Sequence, residues 1–96
     1  MKDQHREIDG WKITIFGFAS NVIIAEKKFK WYDENRLTEI KEWLEDRKYR
    51  VFIRFSETQY KKMRKTFTIE IYKKIKEGTV SEHITEMMDD LATIFQ

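Results

Sequence analysis

The sequence predicts a single α+β domain: an antiparallel sheet with two helices on one face, in the order ββαββα. Four segments alternate apolar and polar residues with period two, and two others repeat apolar residues every three or four positions. The chain has 96 residues, no proline and three glycines, so no linker stands out. Cut in two, it would leave pieces too small to bury a core. Hydrophobic residues at 41% and charged residues at 38% describe a globular composition, not a disordered one.

The opening "MKDQHREIDG" mixes both signs of charge and lacks an apolar region, so it reads as a flexible N-terminus without a secretory signal. "GWKITIFGF" follows as a strand with Trp11, Ile13 and Ile15 on one face. "GFASN" turns the chain, and "NVIIAEKKFKW" returns as the second half of a hairpin. "DENRLTEIKEWLEDRK" is a helix capped by Asp33, with Tyr32 and Leu37 placed for a hydrophobic staple. Leu37, Ile40, Trp43 and Leu44 form its inner stripe, while Glu39, Glu42, Glu45 and Asp46 face out. "YRVFIRF" is a strand with Val51, Ile53 and Phe55 inward. At the end, "TVSE" is a capping box from Thr79 to Glu82. Val80, Ile84, Met87, Leu91 and Ile94 then mark the buried side of a last helix, with Glu86, Asp89 and Asp90 solvated.

Residues 57–77 admit two readings. Phe67, Ile69 and Ile71 alternate with Thr68, Glu70 and Tyr72, and the β-branched and aromatic content favours a strand. Yet Tyr60, Met63, Phe67, Ile71 and Ile75 also line one side of a helix that Gly78 would end. On that second reading "VFIRFSETQYKKM" followed by "GTVSEHITEMMDDLA" resembles the ribbon-helix-helix DNA-binding proteins over residues 50–95. The resemblance implies a strand-helix-helix unit and paired strands in a DNA groove. The chain departs from that pattern, since Ser56 and Ser81 are about two helical turns too far apart.

Charge is distributed unevenly. Between Arg47 and Lys76 eleven Lys or Arg face two acids, +9, and the rest of the chain holds eight basic and fifteen acidic residues, −7. A local field of that kind suits a polyanion, and the expected function is non-enzymatic binding of DNA or RNA through a surface centred on residues 47–76. Arg50, Phe52 and Arg54 share one strand face, and Tyr72 and Lys74 join them if the next strand pairs alongside. An aromatic ring between cations can stack on a base while the cations meet phosphates. Lys61, Lys62, Arg64 and Lys65 would line the edge, and Lys28 and Lys30 would extend the surface. Against this, lysines on strand faces often serve only solubility, and Phe52 would pack as core if it sat under a helix.

Catalytic chemistry finds little support. Glu26 and Lys28 form a Glu-x-Lys element, with Asp9 as a second carboxylate, but the pattern recurs by chance at Glu39 and Lys41. His5 and His83 are far apart, and without cysteine neither a thiolate metal site nor a disulfide is available. No Gly-rich phosphate loop or nucleophile elbow occurs, so neither an enzyme nor a cofactor is expected. The competing expectation is an adaptor or inhibitor that occludes a larger protein, with Trp11, Trp31 and Trp43 as anchors if exposed, or a homodimer pairing its opposite fields. The longest uncharged run, Ile13 to Ala25, is too short to cross a bilayer, and a cytoplasmic location without membrane contact is expected.

Overall fold

A computed structural model describes residues 4–16, 22–30, 33–56, 66–75 and 80–95. Their elements are β1 (Gln4–Ile8), β2 (Trp11–Ile15), β3 (Val22–Phe29), α1 (Glu34–Asp46), β4 (Arg50–Ser56), β5 (Thr66–Lys74) and α2 (Val80–Ile94). The strands form one antiparallel sheet in the order β1-β2-β3-β5-β4. The chain is therefore α+β, as its periodicities predict. The passage from β3 through α1 to β4 skips one strand position, and β5 fills it.

β5 is a strand because both its neighbours and its period demand one. Phe67, Ile69 and Ile71 are completely buried, and the residues between them are half-buried on the other face. β3 and β4 take up its backbone groups on either side. A helix there would turn alternate apolar residues away from the core. The ribbon-helix-helix alternative is therefore overturned: where it requires the helix that follows the strand, Thr66–Lys74 is an interior strand.

A second correction concerns the N-terminus. Within the stretch expected to be flexible, Gln4–Ile8 forms β1, paired antiparallel with β2. Asp9 and Gly10 make the connection with φ of 51° and 82°, the double positive φ of a two-residue hairpin turn. A Cβ on Gly10 would also come within 3.2 Å of the Lys27 side chain, whose ammonium donates to the Asp9 carbonyl.

The core lies between the sheet and both helices. Trp11, Ile13, Ile23, Ala25, Val51, Phe67, Ile69 and Ile71 from the strands meet Leu37, Ile40 and Leu44 of α1 and Ile84, Met87, Leu91 and Ile94 of α2. Phe29 stacks on Phe67 and Phe95, with centroids 5.4 and 5.2 Å apart. Asp33 caps α1 by accepting from the Arg36 amide at 3.2 Å, and the Arg36 guanidinium reaches the Ile94 carbonyl at the end of α2. The expected staple through Tyr32, the turn at 17–21 and the capping box at Thr79 lie outside the described residues. α1 ends in a Schellman arrangement: Tyr49 N–H donates to the Leu44 carbonyl and Lys48 N–H to the Glu45 carbonyl. Lys48 holds the left-handed position there, at φ 69°.

Candidate nucleic-acid interface

Strand alternation decides which side chains can meet a ligand. With Phe67, Ile69 and Ile71 turned to the core, Thr68, Glu70, Tyr72 and Lys74 must point to the face without helices. On β4 the same rule turns Arg50, Phe52 and Arg54 outward, and on β3 it turns Ile24, Glu26 and Lys28 outward. The register then aligns rows across the sheet. Thr14, Ile24, Tyr72 and Arg50 lie in one row, Lys12, Glu26, Glu70 and Phe52 in the next, and Lys28, Thr68 and Arg54 in a third.

Phe52 and Tyr72 therefore sit diagonally on adjacent strands. Their rings meet edge to face, with centroids 5.2 Å apart at 77°. Phe52 is 49% exposed, so it is not a core residue. Arg50 lies directly opposite Tyr72, and Lys74 follows two residues along the same face. Arg50, Lys74, Lys28 and Lys30 are all exposed. The two rings and Arg50, Lys74 and Lys28 share one open surface.

Carboxylates intrude on that surface. The Arg54 guanidinium is ion-paired to Glu70 and lies 3.5 Å from Glu26. The Tyr72 hydroxyl donates to Glu70 at 2.9 Å, and this bond, aided by desolvation, raises the phenol above its ordinary pKa. Glu26, read in the sequence as part of a Glu-x-Lys element, is here a partner of Arg54. Among the described residues no group of three or more His, Asp or Glu side chains converges as a metal site would require. The sequence alone does not mark either acid as a member of this surface, because their adjacency depends on β3 lying next to β5.

The remaining cations of the basic segment go elsewhere. Arg47 stacks over the Trp43 ring at 3.5 Å and approaches Asp90 at 4.0 Å. Lys73, one residue before Lys74, turns to the helix side, 3.3 Å from Glu86 and over the Tyr49 ring. Asp90 also accepts from the Tyr49 hydroxyl at 2.6 Å, so it is not simply solvated as its helical position suggests. Burial first, and this hydrogen bond second, push the Tyr49 phenol far above its ordinary value. Lys61, Lys62, Arg64 and Lys65 lie outside the described residues, as does Trp31. Trp11 is core and Trp43 half-buried beneath Arg47. His83 is half-buried.

Among the described residues no helix is long and apolar enough to cross a membrane. No family model, curated protein or solved structure matches the chain.

Proposed function

We propose that the protein is a non-enzymatic nucleic-acid-binding module whose ligand surface is the helix-free face of the sheet. The observation that carries this reading is the pairing of exposed Phe52 with half-buried Tyr72, flanked by Arg50 and Lys74. Stacking on open bases requires rings that are solvent-accessible and held rigidly, and a sheet provides both. The nearby cations meet phosphates on either side, with Lys28 and Lys30 on the β3 side. Because stacking needs unpaired bases, a single strand is the preferred ligand. Arg54 acts by orienting Glu26 and Glu70 and not as a primary phosphate contact.

Fluorescence anisotropy with labelled single-stranded and duplex oligonucleotides tests this at several salt concentrations. Three phosphate contacts from Lys28, Arg50 and Lys74 give a log–log salt slope of about −2 on a single strand. Phe52→Ala weakens binding by roughly 1–3 kcal/mol with the fold retained. Absence of binding at about 50 mM salt removes the proposal.

One observation favours a second reading, a protein-binding adaptor that occludes a larger partner. Glu26 and Glu70 stand in the middle of the face and repel phosphate, while they suit a partner surface carrying arginine or lysine. A partner recovered by pull-down whose binding survives high salt and is lost on Phe52→Ala would select it.

A further inference from the structure

The two edges of the sheet are built differently. β1 is short and exposes Gln4, His5, Arg6 and Glu7, the polar and charged kind of edge that discourages another strand from pairing. β4 has seven residues, "RVFIRFS", and lies at the other end of the sheet. Among the described residues β5 alone pairs with it. Phe52 is 49% exposed on its open face, and Phe55 is 51% exposed on its helix side beside half-buried Ile53. Among the described residues no second strand lies on its other side, and an apolar edge of this length is a site for strand addition.

The β4 sequence itself indicates the partner. We propose that this edge pairs antiparallel with β4 of a second copy of the chain, about a two-fold axis at Ile53. In that register Val51 faces Phe55 of the other copy, Ile53 faces Ile53, and Phe52 faces Arg54. The exposed apolar surface is covered on the helix side, and each guanidinium meets an aromatic ring on the open side. The charged rows also match. The row Lys12, Glu26, Glu70, Phe52 runs on into Arg54, Thr68, Lys28 of the second copy, its two acids toward the seam and basic residues beyond it. Moving the axis to Phe52 would oppose Arg50 to Arg54, and moving it to Arg54 would oppose two copies of Arg54. A one-residue slip would set core-side residues of one copy against open-face residues of the other. Pairing about Ile53 avoids both faults and uses the whole strand. It joins two five-stranded sheets into one of ten strands, with both open faces on the same side.

The test uses the full chain, which contains no cysteine. Sedimentation equilibrium over a dilution series is expected to show a reversible transition from two-chain to one-chain mass. Phe55→Lys alters a half-exposed side chain and is expected to raise the dissociation constant at least about tenfold. Ile53→Cys, oxidised, is expected to give a disulfide-linked dimer, since facing Cα atoms on antiparallel strands are about 4.5–5.5 Å apart, within disulfide reach. Lys41→Cys on α1 is expected to give none. Phe52→Cys mixed with Arg54→Cys is expected to cross-link more than either alone. Both positions are exposed, so this pair reports the register even if Ile53→Cys does not fold. One-chain mass at every concentration overturns the proposal. So does a dimer that survives Phe55→Lys, or one in which none of the β4 cysteines cross-links. A one-chain protein that captures a strand-forming peptide of different sequence overturns it too, and assigns the edge to another protein.

Discussion

Lys73 and Lys74 are neighbours in the chain and end on opposite faces of one sheet. Lys73 lies under the helices with Glu86 at 3.3 Å and the Tyr49 ring beneath it. Lys74 is exposed on the face that no helix covers. The contrast extends to other described residues of the basic segment. On the covered face Arg47 and Lys73 are absorbed by aromatic rings and by carboxylates of α2. On the open face Arg50 and Lys74 have no carboxylate within ion-pair distance among the described residues, and Arg54 is held by Glu26 and Glu70. Among the described residues of this run, Arg50 and Lys74 are thus left exposed on the open face without a carboxylate partner.

The largest expected difference between the faces is in stability. Phe67 is fully buried on the interior strand β5, stacked on Phe29. Phe67→Ala is expected to destabilise the fold by about 3–5 kcal/mol in urea denaturation. Phe52→Ala, on the open face, loses an edge-to-face contact with Tyr72, about 0.5–1.5 kcal/mol. Equal losses would mean that Phe52 is part of the core and would end the distinction.

Tyrosine titration separates the faces next. Both Tyr49 and Tyr72 have pKa values raised in the folded state, Tyr49 mainly by burial and Tyr72 mainly by its bond to Glu70. The unfolded chain releases these protons near pH 10, where the folded chain still holds them. Above that pH the native state binds more protons than the unfolded state, so stability falls as pH rises. Below it the contribution is fully present. Urea midpoints between neutral and strongly alkaline pH are expected to drop beyond about pH 10, and Tyr49→Phe is expected to blunt the drop. At neutral pH the same substitution removes the hydrogen bond to Asp90, at about 0.5–1.5 kcal/mol. An alkaline drop undiminished in Tyr49→Phe would place the raised phenol elsewhere.

A smaller effect sharpens the comparison on the open face itself. In the Glu26→Gln, Glu70→Gln double variant Arg54 loses both anionic partners and becomes available to phosphate. Single-strand affinity is expected to rise roughly tenfold, about 1.4 kcal/mol. Loss of the exposed Glu26 contact is expected to change stability by less than about 1 kcal/mol, and loss of the Glu70 charge, whose side chain is only 14% exposed, by more. Unchanged affinity would show that the open face is not where the nucleic acid sits, and would favour the adaptor reading.

How much of this was legible depends on whether a feature is local. β5 could be read because Phe67, Ile69 and Ile71 repeat with period two. The two helices could be read because Leu37, Ile40 and Leu44, and Ile84, Met87 and Leu91, recur every three or four residues. β1 was legible in principle: Asp9-Gly10 between Ile8 and Trp11 is a strong hairpin signal, outweighed by the mixed charge before it. The exposure of Phe52 and its neighbourhood with Arg50, Arg54, Tyr72 and Lys74 followed from pairing consecutive strands. The pairing of Arg54 with Glu26 did not, because β5 inserts between β3 and β4, and no local pattern encodes that order. Asp90 is a similar case, since its helical position looks solvated until Tyr49 and Arg47 from the end of α1 arrive beside it.

Lys48 offers the finest test of the comparison, because it belongs to the basic segment by sequence and to neither set of contacts. It closes α1 as the left-handed residue of a Schellman arrangement, at φ 69°, where a side chain is disfavoured and glycine is usual. Lys48→Gly removes that strain but adds freedom to the unfolded chain, so a net stabilisation of about 1 kcal/mol or less is expected. If oligonucleotide binding depended on the total charge of residues 47–76, losing this cation would weaken it as much as losing any other. If binding depends on the open face, Lys48→Gly is expected to leave affinity and salt slope unchanged. Lys74→Gln, by contrast, is expected to lower the slope by about 0.7, the share of one single-strand phosphate contact. Equal losses from both variants would return the function to undirected charge and leave the aromatic pair without a role.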